Sequence, residues 1–189
     1  MKLYLECNMG AAGDMLMAAL LELLPDRQKF LDRMNGLGIP GVRVECLPAV
    51  KCGITGSHIK VSVNGEEETV QDVPMEAGEE ISAVEEHEHH HEDGDHGHHP
   101  HAHSDHDHSH VYGHHHFSYE DVRGLIGALD LPDQVKSDAL AVYERIGEAE
   151  SKVHGVPMDQ IHFHEVGSMD AVADVVGCCL LIHMLGVRD

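Results

Sequence analysis

The feature that most constrains the fold is a long polar tract in the middle of the chain. The stretch that begins at Glu66 is acidic with little periodicity, and 15 histidines then fall between His87 and His116. Such a composition offers too little apolar surface for a packed core, so we expect a disordered, solvent-exposed insertion over 64–116. The fold must then be built from an N-terminal α/β part, 1–63, and a helical part, 117–189, that completes the same domain.

The histidines of this tract indicate metal binding. Neutral imidazoles mixed with carboxylates bind Ni, Zn, Cu or Co ions in many exchangeable arrangements. Because the spacing is irregular, one fixed structural site is not expected, and we interpret the tract as a metal-buffering or delivery segment. A low-complexity spacer that binds metal only incidentally is the alternative. The clustered histidines to which we assign the buffering role are His89, His90, His91, His98, His99, His114, His115 and His116.

The charge of the chain favours cations as partners. Lys and Arg number 12 against 34 Asp and Glu, which gives a formal net charge of −22 with neutral histidine. This balance argues against nucleic acid or anionic lipid as a partner. No apolar run reaches membrane-spanning length and the N-terminus does not read as a signal peptide. We therefore expect a cytoplasmic protein with reduced cysteines and no membrane partner.

The segments on either side of the tract predict a mixed α+β fold. In chain order we expect a strand, two helices and two strands, then the disordered insertion, then three helices. The expected strands are Lys2–Cys7, Val42–Val50 and Ile54–Val63, and the expected helices are Met15–Leu24, Asp26–Asn35, one from Ser118 to about Leu129, a long one after Pro132 and one from Ser168 to about Leu185. An apolar last helix with no strand after it predicts a unit that is incomplete at its C-terminus.

Two of the later helices carry packing patterns. In the last helix, Gly177 would permit the close approach of a second element. The long helix after Pro132 has an apolar stripe at spacings of four and three, which we interpret as core packing. That stripe consists of Val135, Ala139, Val142, Ile146, Ala149 and Val153.

A short segment before the last helix contains several metal-type and acid-base side chains. His162 and His164 are two residues apart, so in extended backbone both imidazoles project from the same face, while Glu165 points the other way. Asp170 falls in the first turn of the helix, and Asp174 lies one turn further on the same face.

Two imidazoles and two carboxylates could therefore converge on one spot, which is a plausible site for a divalent metal or for proton transfer. The alternatives are that Asp170 only stabilises the helix N-terminus and that His162 is a satisfied, half-buried histidine. The combination of two histidines and two aspartates favours the functional interpretation.

A glycine-containing turn near the N-terminus is a second candidate site. It joins the first expected strand to the first helix and consists of Gly10, Ala11, Ala12 and Gly13. Backbone N–H groups at a helix N-terminus bind anions, so this turn could hold a phosphate. A tight turn capped by Asp14 is the alternative.

Three features together resemble one known family. They are the turn Gly10–Met15, the histidine-rich insertion, and the run from Val153 through His162 to Asp170. The chain resembles, over nearly all of its expected ordered part, the nickel-insertion proteins of lactate racemase maturation, which are the chelatases, or cyclometallases, of the nickel-pincer cofactor. The run from His162 to Asp174 is the specific portion of this resemblance.

The resemblance implies an activity and its cofactors. The implied reaction is nickel insertion into pyridinium-3,5-bisthiocarboxylic acid mononucleotide, with CTP and Mn²⁺ or Mg²⁺, and the product holds nickel through two sulfurs and one ring carbon. The implied acceptor is apo lactate racemase or a related enzyme. Full-length members continue beyond Asp189 with a further domain, and some are encoded as two pieces. A separately encoded C-terminal half is therefore an expected partner, and a homo-oligomer is possible.

The resemblance also assigns roles to residues by matching position. His164, Glu165 and Asp170 are the implied catalytic residues, with His164 or Glu165 favoured as the base that takes the ring proton. The implied metal ligands are His162, His164, Asp170, Asp174 and Asp14. The turn from Gly10 to Gly13 is the implied phosphate site.

Two other functions compete with nickel insertion. A non-enzymatic nickel store or metallochaperone would depend on His87–His116 and not on His162 or His164. A hydrolase with a Mg²⁺ or Mn²⁺ site at His162, His164, Asp170 and Asp174 would turn over without nickel.

Overall fold

The fold was obtained as a computed structural model that describes residues 2–8, 10–67, 117–163 and 166–187. This part of the chain is a mixture of α-helices and two small antiparallel sheets, which confirms the predicted α+β class. The helices are α1 Gly13–Glu22, α2 Arg27–Gly36, α3 Tyr119–Ala128, α4 Asp133–His154 and α5 Met169–Met184, with a 3-10 turn at Met158–Gln160. The strands are β1 Val42–Lys51, β2 Ile54–Val63, β3 Phe117–Ser118 and β4 His162–Phe163. Of the insertion predicted over 64–116, residues 68–116 lie outside the described residues. Residues 64–67 are described and form a turn after β2, in which the Glu66 N–H donates to the Val63 carbonyl at 3.1 Å, so the predicted start of the disorder is wrong.

Strands β1 and β2 form a long antiparallel hairpin, with Val42 opposite Val63 and Lys51 opposite Ile54. The two residues of the loop, Cys52 and Gly53, have φ angles of 51° and 78°. Positive φ at both central residues is what a two-residue turn needs to match the twist of its strands. The hairpin packs on α1, α2 and α5.

One side chain fastens α2 to the hairpin. The Asn35 amide donates to the Val44 carbonyl at 2.9 Å, and its carbonyl oxygen accepts from the Val44 N–H at 2.9 Å. Val44 is buried at 2% exposure, so its backbone groups would be costly to leave without partners. Asn35 thus takes the place of a neighbouring strand at this point of β1.

We expect Asn35→Ala to lower the free energy of unfolding by about 1–3 kcal/mol, because it leaves a partly buried N–H and C=O without partners. Urea denaturation followed by circular dichroism measures the change. The control is Asn8→Ala, whose amide donates only to the exposed side chain of Glu6 and should cost little. Equal stability of the two variants would contradict the strand-like role of Asn35.

Helix α5 lies at the centre of the core and contacts α1, α4 and both strands of the hairpin. It begins at the predicted place, because the Ser168 hydroxyl accepts the Ala171 N–H at 3.2 Å and so caps the helix. Its fully buried residues include Val172, Ala173 and Val176. Residues on both sides of the 68–116 segment therefore share one hydrophobic core.

Helix α3 begins with the capping box that its sequence predicts. The Ser118 hydroxyl accepts the Asp121 N–H at 3.1 Å, and the Asp121 carboxylate accepts the Ser118 N–H at 2.9 Å. Hydrogen bonds from Ser118 hold the pKa of Asp121 below its usual value. The capping box therefore fixes the start of α3, next to Phe117, where the described structure resumes.

The prediction of an N-terminal strand at Lys2–Cys7 is wrong. Residues 2–7 form no regular element, although Leu3 packs partly against the core while Tyr4 and Leu5 are 84% and 47% exposed. An alternating apolar pattern does not make a strand by itself, because a strand also requires a partner for its backbone. Within the described residues, β1 and β2 pair only with each other, so this segment adds no third strand.

No helix in the described ranges is long and apolar enough to cross a membrane.

Candidate functional site

Helices α1 and α5 approach each other closely at two glycines. A Cβ atom added to Gly13, at the start of α1, would lie 2.6 Å from the Cβ of Asp174. A Cβ added to Gly177 would meet Met17 of α1 and would lie 3.5 Å from Met34 of α2. The prediction that Gly177 permits the approach of a second element is therefore confirmed. The same contact brings the N-terminus of α1 against the acidic face of α5.

Asp174 fills the space beside Gly13. Its carboxylate lies beside Gly13 and accepts a hydrogen bond from the backbone N–H of Asp14. The second oxygen, Oδ1, is buried and has no hydrogen-bond partner. An aspartate of α5 therefore occupies part of the region at the α1 N-terminus where the helix dipole and free N–H groups favour an anion.

The structure brings three of the predicted site residues together. Burial raises the pKa of the Asp174 carboxyl to about 7, and the negative charges of Asp170 and Asp14 raise it further, against the Asp14 N–H, which lowers it. We call Asp14, Asp170 and Asp174 the aspartate cluster. Carboxylates gathered in this way, with one of them titrating near neutrality, can accept a proton or bind a cation.

Asp14 takes part in the first turn of α1 without being its N-cap. The N-cap is Ala12, which makes no side-chain cap, and the Asp14 carboxylate accepts the Met15 N–H at 2.7 Å. The predicted turn is present, since Gly10 has a φ of 79° and donates to the Cys7 carbonyl at 2.9 Å. The phosphate site proposed from Gly10, Ala11, Ala12 and Gly13 stays a prediction, and nearby carboxylates would repel an anion there unless a proton or cation offsets their charge.

A residue that sequence reasoning missed, Tyr143 of α4, lies near the cluster. Its side chain is fully buried and its hydroxyl has no hydrogen-bond partner. Burial raises the pKa of this phenol well above its usual value, and the charge of Asp174 raises it further. Its ring packs against that of Phe163, with centroids 5.9 Å apart.

The predicted stripe on α4 explains why Tyr143 was missed. Three members of the stripe, Val142, Ala149 and Val153, are exposed, so that part of the prediction is wrong. The buried residues of α4 recur every four positions instead: Val135, Ala139, Tyr143 and Gly147. Gly147 is buried because Met158 packs against it, which turns this face inward. The sequence signal that could have identified Tyr143 is its spacing, because it follows Val135 and Ala139 at intervals of four residues.

His162 lies on the exposed side of β4. It pairs with Ser118 of β3, and its charge contributes to lowering the pKa of Asp121 in the capping box. His164 and Glu165, the favoured bases, lie outside the described residues, as do the histidines assigned to metal buffering. The convergence of His162 with the aspartate cluster therefore stays a prediction.

Two cysteines beside the cluster are poor metal ligands. The Cys178 thiol donates weakly to the Gly13 carbonyl at 3.6 Å, and burial raises its pKa to about 12. Burial also raises the pKa of Cys179 to about 11. Because the thiolate is the form that binds metals, both behave as small packing residues.

In the described part of the site, the side-chain atoms that could bind a metal are mainly carboxylate oxygens. Across residues 2–8, 10–67, 117–163 and 166–187, no three His, Cys, Asp or Glu side chains are grouped closely enough to hold an ion by themselves. The buried, unpartnered oxygen of Asp174 nevertheless suits a hard cation that keeps several of its waters and takes one or two carboxylates. The donor set therefore fits Mg²⁺ or Mn²⁺ better than a metal that prefers nitrogen or sulfur.

Comparisons with known proteins give a consistent result. The family model described as nickel insertion protein matches residues 3–189. The chain is 35% identical over 185 residues to a protein of Myxococcus xanthus whose name places it among nickel insertion proteins. It is 32% identical to the pyridinium-3,5-bisthiocarboxylic acid mononucleotide nickel insertion protein of Akkermansia muciniphila and 30% identical to the protein of the same name from Desulfitobacterium hafniense. No solved structure matches the chain.

These alignments cover almost all of this chain but only part of each relative. They include 97%, 96% and 98% of the chain, but 36%, 36% and 34% of the relatives from M. xanthus, A. muciniphila and D. hafniense. The chain thus spans about a third of the length of these relatives. With the family model matching it nearly from end to end, the chain belongs to the nickel insertion protein family.

Proposed function

We propose that this chain takes part in inserting nickel into pyridinium-3,5-bisthiocarboxylic acid mononucleotide, as the corresponding third of a longer insertion protein or together with a separate C-terminal half. The observation that carries the proposal is the match of the family model to residues 3–189. The relatives named for this substrate align over nearly the whole chain. The aspartate cluster gives the proposal a chemical centre.

The reaction sets three requirements. Nickel, which is a substrate here, must be delivered to the two sulfurs of the precursor. A ring C–H bond must break as a nickel–carbon bond forms, so a base must take the proton. The phosphate of the mononucleotide must also be held.

We assign residues of the chain to these requirements as follows. We assign nickel delivery to the histidine tract and nickel binding to His162 and His164, whose imidazoles suit nickel better than carboxylates do. We assign proton removal to His164 or Glu165, with Asp170 as the third catalytic candidate. A carboxylate whose pKa lies near 7, as that of Asp174 does, suits a group that releases or accepts a proton at neutral pH.

The proposed role of CTP with Mn²⁺ or Mg²⁺ rests on the resemblance and on the oxygen donors of the cluster. Asp174 and its neighbours Asp14 and Asp170 would hold such a cation, which would supply positive charge for a phosphate. We propose lactate racemase or a related enzyme as the acceptor of the product. The site for the cytidine nucleotide is not assigned to any residue of this chain.

The test is nickel insertion by the purified chain with precursor, CTP, Mn²⁺ and Ni²⁺, measured by reactivation of apo lactate racemase and by the mass of the product. A parallel reaction contains the C-terminal portion of the A. muciniphila relative. Formation of the nickel product in either mixture supports the proposal. Tight nickel binding without product in both mixtures would contradict it and favour a nickel store.

Two variants test which part of the chain is needed for nickel insertion. We expect Asp170→Asn to lower the insertion rate by at least tenfold at saturating nickel, since it removes one of the site carboxylates. Deletion of 87–116 should reduce insertion only when nickel is scarce, because the tract only delivers the metal. The opposite pattern would favour the metallochaperone. Nucleotide hydrolysis that proceeds without nickel or precursor would favour the hydrolase.

A further inference from the structure

A cavity opens between helices α3 and α4, apart from the aspartate cluster. Its volume is about 270 Å³, just below the roughly 300–1,000 Å³ of small-molecule sites, which suits one small ligand. Its walls combine a cation, a carboxylate, a phenol ring, a hydroxyl and apolar carbon. The lining residues are Tyr119 and Arg123 of α3 and Ser137, Leu140, Ala141 and Glu144 of α4. This set of groups suits a ligand that carries both a negative and a positive charge.

Arg123 gives the cavity a cation that can hold a phosphate. Its hydrogen bonds to Glu120, at 3.0 and 3.4 Å, both start at Nη1, so Nε and Nη2 have no partner within the described residues. A guanidinium presents its N–H groups in a fork that matches phosphate oxygens, and arginine stays charged at physiological pH. The turn Gly10–Gly13 lies beside the aspartate cluster instead, whose carboxylates would repel a phosphate.

Tyr119 and Glu144 favour a ligand ring that carries a positive charge. The face of a tyrosine ring attracts a cation, and a carboxylate on the same cavity adds a charge of the right sign. Leu140 and Ala141 offer apolar carbon for a flat ring to pack on, and the Ser137 hydroxyl is a polar partner for a sugar. A pyridinium ring joined through a sugar to a phosphate has this distribution of charge.

The cavity lies next to the segment that carries the predicted catalytic residues. Tyr119 packs against Phe163 of β4, with ring centroids 6.5 Å apart. Phe163 precedes His164 in the chain, and Ser118, which precedes Tyr119, is paired with His162. A ligand against Tyr119 is therefore separated from β4 by the width of one aromatic ring.

We propose that the cavity between α3 and α4 binds a pyridinium mononucleotide, with its phosphate on Arg123 and its ring against Tyr119 and Glu144. The cavity is open on one side, so ring substituents such as thiocarboxylates stay accessible to nickel. The inference rests on the proposed function for the identity of this nucleotide, and it gives the substrate a site that no motif in the sequence indicates. Ligand binding can be measured whether or not the chain inserts nickel.

The experiment is isothermal titration calorimetry of the full 189-residue chain with nicotinamide mononucleotide and with its reduced form. The two probes share the sugar and the phosphate, but only the oxidised ring carries a positive charge. We expect the oxidised form to bind about fivefold more tightly, because only its ring is attracted by Tyr119 and Glu144. Glu144→Gln should reduce that preference. Arg123→Gln should weaken both probes by about tenfold, since both carry the phosphate.

Two substitutions to phenylalanine separate binding in the cavity from effects elsewhere. Ala141 is exposed, so Ala141→Phe should fill the cavity without disturbing the core and should abolish the binding of both probes. Ala149→Phe places the same ring at an exposed position of α4 outside the cavity and should leave binding unchanged. Arg145→Gln is the control for Arg123→Gln, because Arg145 is exposed on α4 and does not line the cavity.

Absence of binding, equal affinity for the two probes, or binding that survives Arg123→Gln or Ala141→Phe would overturn the inference. If the probes and variants behave as expected while nickel insertion fails in every mixture, the nucleotide site stands and the proposed function does not. Insertion at limiting precursor that is unaffected by Arg123→Gln and Ala141→Phe would give the reverse conclusion.

Discussion

Asp174→Asn is expected to make the metal-free chain more stable at pH 8 and to flatten its stability between pH 4 and 8. The pKa of Asp174 rises from its ordinary 3.8 to about 7 in the folded chain, so the folded state holds the proton more tightly than the unfolded state. Stability from this group is therefore full below about pH 4 and is lost as the pH rises through about 7. Such a rise corresponds to at most about 4 kcal/mol, and since the side chain is only partly shielded from water we expect about 2 kcal/mol at pH 8.

The measurement is urea denaturation of both proteins in chelator at intervals from pH 4 to 8. The histidine tract titrates in both proteins, so its contribution cancels in the difference between them. Asp130→Asn is the control, because Asp130 lies exposed between α3 and α4. The difference in free energy of unfolding between Asp174→Asn and the original chain should grow from pH 4 to 8. A constant difference would contradict the conclusion that burial and nearby charges raise the pKa of Asp174.

Gly13→Ala is the second change with a large expected effect. In an open helix, replacing glycine with alanine stabilises by about 1 kcal/mol. Here the added Cβ would lie 2.6 Å from the Cβ and Cγ of Asp174, near the backbone of α5, where the neighbour cannot swing aside. We expect a net loss of about 2–3 kcal/mol, as in other overpacked cores, together with weaker Mn²⁺ binding as Asp174 is displaced.

Thermal unfolding with and without Mn²⁺ measures both effects of Gly13→Ala. The matched control is Gly124→Ala in α3, where an added Cβ would meet no atom within 4 Å and should slightly stabilise the helix. If Gly13→Ala also stabilised the chain, the close contact between α1 and α5 at Asp174 would be refuted.

Local features of the structure could be predicted from the sequence, whereas features that depend on long-range contacts could not. Ser118 and Asp121 predict a helix start that the structure has, and Ser168 predicts the start of α5. These signals are local, because a cap requires only residues three apart in the chain. The strand predicted at residues 2–7 failed because a strand depends on a partner that the sequence does not specify.

The candidate site shows the same division. Asp170 and Asp174 share a helix face because they are four residues apart, so their proximity could be predicted from the sequence. Asp14 was included only through the family resemblance, and Tyr143 was missed. Both reach the site through the packing of α1 and α4 on α5, across separations of 160 and 31 residues from Asp174.

By itself the sequence determined the α+β class, the hairpin, the helix starts and the nickel-insertion family, because propensity, capping and motif spacing act over a few residues. Only the tertiary structure decided that Asp174 lies against the α1 N-terminus, that its pKa approaches neutrality, and that Tyr143 is buried within reach of its charge. The physical reason is that burial and charge–charge interaction depend on distances through space. Those distances are set by where glycines let helices approach, here at Gly13 and Gly177.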